Sequence, residues 1–267
     1  MGYIFEARNL SYTYPGGIPA LREVNLAIAP GERVALLGAN GSGKSTLLKL
    51  LDGLIFPTSG EVFAFGKVIS EKALKEGPFV QEFRRRVGLV FQDPDAQLFS
   101  PTVWDEVTFG PLQLQCSRDE VASRAMETMD LLGIGHLRER PPYRLSTGEK
   151  KKVALASVLS LRPEVLLLDE PTTGLDPRSQ GNVIDFLMRW PSRGKTLVLS
   201  TQDLDMVDEV ANRVLVLGEG HRIVADGKPE EFLSQTDFLL RTNLIHEHSH
   251  RHQEMVHRHR HLHEHQH

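Results

Sequence analysis

A glycine-rich segment, GANGSGKST, occupies residues 38–46 and separates an apolar run from a helical pattern. The run Val34–Leu37 is typical of a short buried strand, and the leucines of residues 47–54 recur with helical spacing. The segment fits G-x-x-x-x-G-K-[ST], whose glycines let backbone N–H groups approach a phosphate closely. A strand, this loop and a helix in that order restrict the chain to folds built on a phosphate-binding loop.

The residue types in the loop predict how a nucleotide would be held. The Lys44 ammonium would reach the β and γ phosphates, the Ser45 hydroxyl would ligate Mg²⁺, and the N-terminus of the following helix would add positive potential. The predicted nucleotide-binding set in this segment is Gly38, Asn40, Gly41, Gly43, Lys44, Ser45 and Thr46.

Two acidic residues follow a second apolar run. Asp169 and Glu170 come directly after residues 165–168, which read as a buried strand. Asp169 is predicted to hold the water shell of Mg²⁺, and Glu170 to polarise an attacking water. Acidic residues at a strand end are common, so this pair gains its meaning from the phosphate-binding loop.

Short apolar strands alternate with helical patterns along the chain, which predicts an α/β fold with a mainly parallel sheet. An antiparallel β edge is expected near the start and a helical subdomain at about 95–162. Ser117-x-x-Glu120 and Ser146-x-x-Glu149 read as capping boxes, and Pro177 as the first residue of a helix. The predicted strands include residues 24–28, 34–37, 87–91, 165–168 and 196–200, and residues 61–69 and 214–224 are predicted to form hairpins.

Composition excludes several classes of protein. The chain has 267 residues, a net charge of −4 and a single cysteine, Cys116, so it has no internal disulfide and no global attraction to nucleic acid. No apolar run approaches 18 residues, and the N-terminus lacks a signal-peptide pattern. We expect an intracellular protein.

Further motifs, before and after the phosphate-binding loop and the Asp169–Glu170 pair, resemble those of the ATP-binding-cassette (ABC) ATPases. Residues 145–149, LSTGE, resemble the LSGGQ signature, residues 173–176 resemble the D-loop, Gln92 resembles the Q-loop glutamine, and Tyr14 resembles the aromatic residue that stacks on adenine. The resemblance covers residues 3 to about 235 and implies an ATP hydrolase that uses ATP and Mg²⁺. It implies a head-to-tail dimer in which Ser146, Gly148 and Asp176 of one domain meet the nucleotide of the other. It also implies that Gln92 binds Mg²⁺ together with Ser45 and Asp169.

The sequence departs from the family pattern at two positions. Thr147 replaces the usual signature glycine, and Gln202 stands where a switch histidine is expected. An amide can donate a hydrogen bond to the γ-phosphate, but it cannot carry the positive charge available to histidine. The resemblance assigns catalytic roles to Glu170, Gln202 and Gln92, and we expect Gln202 to slow hydrolysis unless the site has adapted to it.

A narrower resemblance covers residues 91–111, which are similar to the segment after the Q-loop in ATPases of energy-coupling-factor importers, especially the cobalt and nickel group. Phe99, Trp104, Asp105 and Phe109 suit a protein-binding groove. The resemblance implies a peripheral subunit on the cytoplasmic face of the membrane, a transmembrane coupling subunit and a substrate-binding membrane subunit. Import of another micronutrient such as a vitamin, a soluble ABC ATPase acting on nucleic acid, and a metal buffer with a vestigial ATP site remain alternatives.

The C-terminal segment is rich in histidine and differs from the rest of the chain. We assign residues 1–240 to the ATPase domain and residues 241–267 to a tail that is expected to be disordered without metal. Alternating imidazoles can bind Ni²⁺, Co²⁺, Zn²⁺ or Cu²⁺, and a purification tag or a solvated tail without function is the competing interpretation. The candidate ligands are His246, His248, His250, His252, His257, His259, His261, His263, His265 and His267.

Overall fold

The computed structural model describes residues 2–75, 77–190, 194–252 and 255–262, with side chains described as far as Ile245. The strands in these ranges are β1 (Phe5–Tyr14), β2 (Ile18–Ile28), β3 (Arg33–Leu37), β4 (Ser59–Ala64), β5 (Lys67–Val68), β6 (Val87–Val90), β7 (Val165–Asp169), β8 (Thr196–Ser200), β9 (Arg213–Leu217), β10 (Ile223–Gly227), β11 (Ile245–His252) and β12 (Met255–Leu262). The helices are α1 (Lys44–Leu51), α2 (Glu71–Lys75), α3 (Pro78–Arg86), α4 (Val103–Gln113), α5 (Arg118–Leu131), α6 (Thr147–Leu159), α7 (Pro177–Arg189), α8 (Leu204–Val210), α9 (Pro229–Leu233) and α10 (Thr236–Arg241).

A six-stranded sheet in the order β10-β9-β3-β8-β7-β6 forms the centre of the molecule. All neighbours pair in parallel except β10 with β9. Every residue of β7 and β8 is buried, as expected for a parallel sheet covered on both faces. The carboxyl ends of β3, β7 and β8 lie at one edge, so the loops that follow them are neighbours. This arrangement confirms the predicted α/β fold.

An antiparallel sheet in the order β2-β1-β4-β5 confirms the predicted β edge near the start of the chain. Alternate residues of β2, Val24, Leu26 and Ile28, are buried. Period-two burial of this kind leaves the other face of the strand toward solvent. The loop of residues 38–43 contacts this sheet, as described below.

Apolar side chains form clusters on both faces of the central sheet. Val34 and Leu36 belong to the cluster that faces α1 and the antiparallel sheet, and Ala35 and Leu37 belong to the cluster that faces α6, α7 and α8. The alternation follows from the pleat of the strand. Both faces of β3 are therefore packed, which fixes the position of the loop that follows it.

A third apolar cluster joins α4, α5 and α6, in the region predicted to be helical. Ser146 and Glu149 form the predicted capping box of α6, whereas Ser117 caps α5 by accepting a bond from the Glu120 N–H. Pro177 is the first residue of α7, as predicted. None of the helices in the described ranges has the length and apolar composition that a membrane span requires.

The packed core continues to Leu244 and Ile245, past residue 240 where the sequence analysis ends the domain. Their apolar side chains pack with Leu239 of α10, and the polar composition of the tail obscures this packing in the sequence. β11 and β12 pair as antiparallel strands, whereas the sequence analysis predicts a disordered segment. Regular alternation of histidine with other residues is also the period-two pattern of a strand.

Candidate nucleotide-binding site

The loop between β3 and α1 has a backbone that requires glycine. Gly38, Gly41 and Gly43 have φ angles of 153°, 80° and 110°. A Cβ atom at Gly43 would collide with the Ala20 carbonyl oxygen, so the loop and the antiparallel sheet approach each other closely. Gly43 caps α1 without a side-chain hydrogen bond, which leaves the first N–H groups of that helix free of a side-chain partner. N–H groups at a helix N-terminus are suited to binding an anion.

Lys44 lies inside this loop and is 6% exposed. Its Nζ donates to the carbonyl oxygens of Gly38 at 2.7 Å and Ala39 at 3.3 Å, and lies 3.6 Å from Glu170 Oε1. Burial lowers the pKa of Lys44, while the carboxylates of Glu170 and Asp169 oppose that shift. The loop therefore holds a preformed cation beside the two predicted acidic residues.

Asp169 ends β7 and shares its carboxylate between two hydroxyl groups. The Ser45 hydroxyl donates to Asp169 Oδ1 at 2.9 Å, and the Ser200 hydroxyl donates to the same oxygen at 2.6 Å. Hydroxyl and carboxylate oxygens are the ligands that Mg²⁺ prefers. The residues present therefore fit a magnesium ion next to the phosphate-binding loop.

Glu170 is held in a conformation that is uncommon for a residue other than glycine. Its φ is 46°, and its N–H is positioned by the backbone oxygen of Ser200 at 3.1 Å and by the hydroxyl of Ser200 at 3.0 Å. Burial raises the pKa of Glu170, and the Lys44 ammonium and the Thr173 hydroxyl act against this shift. A buried carboxylate with a raised pKa is suited to accepting a proton.

Two further predicted residues lie at the rim of the loop. The Tyr14 hydroxyl and Thr46 Oγ1 are 3.1 Å apart, which links β1 to α1. The Gln202 amide donates a hydrogen bond to the Asn40 side chain, so the loop after β8 contacts the phosphate-binding loop directly. The structure brings both pairs to the same end of the sheet.

Gln92 follows β6, but its side chain is exposed and makes no hydrogen bond within the described part of the chain. The described hydrogen bonds of Asp169 and Ser45 do not include it. Its predicted part in binding Mg²⁺ stays a prediction.

The signature residues lie at the exposed start of α6. The Ser146 N–H and hydroxyl both donate to Glu149 Oε2, at 2.8 Å and 2.9 Å. Asp176 caps α7, and the Ser179 hydroxyl and N–H hold the pKa of Asp176 below its usual value. Gly148 lies between these caps, since a Cβ atom there would be 3.4 Å from the Ser179 hydroxyl. Ser146 and Asp176 bond within their own helix caps, and none of these residues makes a hydrogen bond to the phosphate-binding loop of the same chain within the described residues.

Lys151 is a residue of the site that the sequence analysis missed. It is 8% exposed, and its ammonium donates to backbone carbonyls of the loop that begins at Glu170. Burial lowers the pKa of Lys151 to about 8. The sequence shows only a run of three lysines, which is typical of a solvated helix face.

The candidate metal ligands of the tail give no structural test. The side chains of His246, His248, His250, His252, His257, His259 and His261, and all of His263, His265 and His267, lie outside the described residues. Among the residues that are described, no group of three or more His, Cys, Asp or Glu side chains could hold a metal ion.

The sequence and the fold agree with those of known transport ATPases. The model of the ABC transporter family matches residues 21–173. The nickel import ATP-binding protein of Rhodobacter capsulatus is 48% identical over 246 residues, 90% of this chain and 95% of that protein. The energy-coupling factor transporter ATP-binding protein of Methanothermobacter thermautotrophicus is 42% identical over 241 residues, 90% of this chain and 76% of that protein.

Solved structures extend this agreement. The cbiO1 protein of Clostridium perfringens, part of the ABC transporter complex cbiONQ, superimposes with a TM-score of 0.76 at 36% identity, over 91% of this chain and 96% of that chain. The dimeric ATP-binding cassette MJ0796 bound to ADP and Pi has a TM-score of 0.76 at 28% identity, over 84% of this chain and 98% of that chain.

The chain therefore belongs to the ABC transporter family. Within that family it is an ATP-binding ATPase subunit of the energy-coupling-factor and nickel importer type.

Proposed function

We propose that this chain hydrolyses ATP to energise the import of a transition metal ion, cobalt or nickel, through membrane partner subunits on whose cytoplasmic face it binds. The observation that carries the hydrolytic part is the Lys44 ammonium 3.6 Å from Glu170 Oε1, beside the Ser45–Asp169 pair. The name of one relative supports a metal as the substrate, since it is a nickel import ATP-binding protein.

The phosphate-binding loop would hold the triphosphate. Backbone N–H groups of residues 38–43 and the start of α1 would surround the phosphate oxygens, and Lys44 would exchange its carbonyl partners for the β and γ phosphates. Tyr14 would stack on the adenine base from β1. Asn40 and Thr46 would complete the pocket, and Asn40 already contacts Gln202.

Mg²⁺ would be held by Ser45, Gln92 and Asp169, and when bound it would neutralise charge on the β and γ phosphates. Glu170 would accept a proton from the attacking water, and its raised pKa suits that role. Gln202 would donate a hydrogen bond to the γ-phosphate as negative charge develops there.

The nucleotide site needs a second ATPase domain for completion. Ser146 and Gly148 lie at the N-terminus of α6, where the positive end of the helix dipole can face a phosphate of another chain. A two-fold homodimer is the simplest closed assembly that uses both halves twice, and a paralogous ATPase chain would serve the same purpose.

The surface around α4 would receive the transmembrane coupling subunit. Phe99 is 67% exposed and Phe109 42% exposed, and their rings meet edge to face at 4.9 Å. Buried Glu106 accepts hydrogen bonds from the N–H groups of Phe99 and Ser100, at 3.0 Å and 2.7 Å, which fixes the loop carrying Phe99. A pair of exposed aromatic rings, one on this fixed loop and one on α4, is suited to anchoring a partner helix.

The decisive experiment is uptake of radioactive Ni²⁺ and Co²⁺ by cells that express this chain with its membrane partners. Wild-type cells should accumulate one of the two ions, and cells with Glu170→Gln should not. Phe109→Ala should abolish uptake while the isolated ATPase stays active, because it removes an exposed ring whose intrachain contact is with exposed Phe99 rather than with the nucleotide site. Uptake of a vitamin instead of a metal would support the energy-coupling-factor alternative. ATP-dependent retention on nucleic acid without any uptake would support the soluble alternative.

The histidine-rich tail would bind transition metal ions near this machinery. Alternating imidazoles provide several weak sites, and their chemistry suits Ni²⁺ or Co²⁺. Deletion of residues 246–267 should leave ATPase activity intact and remove these sites from a calorimetric titration with Ni²⁺. A full-length chain with the ten tail histidines replaced by asparagine is the matched control. Equal metal binding by all three proteins would refute the proposal.

A further inference from the structure

Three lysines follow one another in the first two turns of α6, and they have different surroundings. Lys150 forms an ion pair with Asp95 at 2.7 Å, and Lys152 is half-buried. Lys151 is buried, and all of its hydrogen bonds go to backbone carbonyl oxygens. None of the described partners is a carboxylate, so the cost of burying this ammonium is offset by its hydrogen bonds to the carbonyl oxygens.

The carbonyl partners of Lys151 all belong to one loop. Its Nζ donates to the oxygens of Glu170 at 3.2 Å, Pro171 at 3.5 Å and Thr173 at 2.5 Å. An ammonium has three N–H donors, so the full donor capacity of this side chain serves the loop after β7. Lys151 therefore fixes the backbone that carries the proposed general base.

That backbone is in a conformation that its surroundings must maintain. The positive φ of Glu170 is sparsely populated for a residue with a side chain, and such conformations persist only where neighbouring groups fix them. Ser200 holds the N–H of Glu170, and Lys151 holds its carbonyl oxygen. Thr173, the third partner of Lys151, also donates its hydroxyl to Glu170 Oε2 at 3.3 Å. The N–H of Glu170 therefore depends on Ser200, and its carbonyl oxygen depends on Lys151. Lys151 also fixes Thr173, which contacts the Glu170 carboxylate.

We propose that Lys151 is a positioning residue that fixes the Glu170 carboxylate from the signature helix of the same chain. This inference depends on the proposed function, because it gives α6 two tasks in a dimer. At Gly148 the helix would meet the nucleotide of the partner chain. About 4.5 Å further along the axis, Lys151 holds the base that acts on its own nucleotide. A shift of α6 on closure around one ATP would thus reach the base at the other ATP.

The first test compares Lys151→Met with the control Lys150→Met, which loses only an exposed ion pair. We expect Lys151→Met to lower kcat by about a hundredfold, the effect of a small misplacement of a catalytic group, with the Kd for ATP unchanged. Lys151→Arg, which retains the charge and the donors, should recover part of kcat. A thermal midpoint for Lys151→Met equal to that of Lys150→Met shows that the chain is folded. Loss of ATP binding, loss of folding, or unchanged kcat would each overturn the proposal.

The second test uses mixed dimers in which one chain carries Glu170→Gln, so that a single base works. With Lys151→Met in the chain that retains Glu170, turnover should fall as in the first test. With Lys151→Met in the chain that carries Glu170→Gln, turnover should equal that of the mixed dimer without it. A loss in the second arrangement would mean that Lys151 acts on the partner's site through the signature, and would overturn the proposal. Absence of ATPase activity in every arrangement, the dimer without Lys151→Met included, would contradict the proposed function itself.

Discussion

The phosphate-binding loop and the signature end of α6 differ in how far their contacts are complete within one chain. Lys44, Asp169 and Glu170 are each less than a tenth exposed, and they contact one another or residues that hold them in place. Ser146 and Asp176 are exposed, and their side chains bond only within their own helix caps. Both regions carry family motifs, but only the first is a packed site.

The difference shows which part of the proposed nucleotide site is already packed within one chain. The phosphate-binding loop and the acidic residues after β7 bury their charges within one chain, on support from β3, β7 and β8. The signature end of α6 offers a capped helix N-terminus on the surface, which we propose to act only when a second chain supplies a phosphate. Substitutions in the two halves should accordingly separate nucleotide binding from assembly.

The largest effect is expected at Glu170. Glu170→Gln removes the proposed base and should lower kcat by about 10²–10⁴-fold, the usual contribution of general-base catalysis, without loss of ATP binding. The variant with saturating ATP should be a dimer by light scattering, because hydrolysis no longer reopens the assembly. A monomer under these conditions would count against a homodimer, and a paralogous chain should then restore assembly.

Substitution of Gly148 tests the role proposed for the signature end of α6. A Cβ atom at this position would lie 3.4 Å from the Ser179 hydroxyl and 3.7 Å from Leu175 Cδ2, which are ordinary contact distances, so Gly148→Asp should fold and bind ATP as a single chain. A carboxylate aimed at the partner's phosphate should lower turnover by about 10²–10³-fold, as does loss of one stabilising donor. Gly148→Ala is the uncharged control. Equal turnover of Gly148→Asp and wild type would place the signature outside the nucleotide site.

Lys44 tests the buried half. Lys44→Ala removes a charge-assisted contact to phosphate, usually about 1.5–3 kcal/mol, and should weaken ATP binding by about 10- to 150-fold. Fluorescent-nucleotide titration measures the change, with Lys49→Ala, in the last turn of α1, as the control. ATP affinity that is unaffected by the loss of Lys44 would remove this site assignment.

The pH dependence of turnover also concerns the buried half. Burial raises the pKa of Glu170, and a base must be ionised to accept a proton, so kcat should fall on acidification. The decline should begin at a higher pH than the ordinary glutamate value of 4.5 would give. Measurement of kcat at saturating ATP, with the Kd for ATP followed in parallel, separates this ionisation from effects on binding. A kcat that stays constant down to about pH 4.5 would contradict the raised pKa.

The smallest effect is expected at Gln202, which contacts Asn40. Gln202→His should raise kcat more than it changes KM, because a cation stabilises developing charge better than an amide, and the gain should be below the roughly 10²-fold value of a whole donor. Gln202→Ala is the control for loss of the hydrogen bond. If Gln202→His leaves kcat unchanged or lower, the site has adapted to glutamine.

The sequence predicts most strands of the central sheet, and its motifs locate the phosphate-binding loop and the acidic pair at the end of β7. The strand β8 lies at the predicted residues 196–200, and α7 begins at Pro177, because local periodicity and capping determine both. The boundary at residue 240 precedes the end of the packed core, since Leu244 and Ile245 join an apolar cluster built mostly by residues from distant parts of the chain. Motifs locate Lys44 and Glu170, but only the fold shows that they are 3.6 Å apart.

Lys151 shows why the rest could not be predicted. A lysine beside two other lysines has no sequence signal for burial, and its three carbonyl partners lie about twenty residues further on. Ser200 similarly gains its role from the parallel pairing of β7 with β8. Roles that depend on contact between separate elements are absent from any local pattern.

The close approach of Gly43 to the Ala20 carbonyl determines how the two ends of a nucleotide would be spaced. It joins the loop to the antiparallel sheet, and Tyr14 at the end of β1 bonds to Thr46 in α1. The part of the site proposed to stack on the base is thus held at a fixed distance from the part proposed to bind the phosphates. We expect the site to keep the adenine base and the phosphates at one fixed separation, since neither end can move relative to the other.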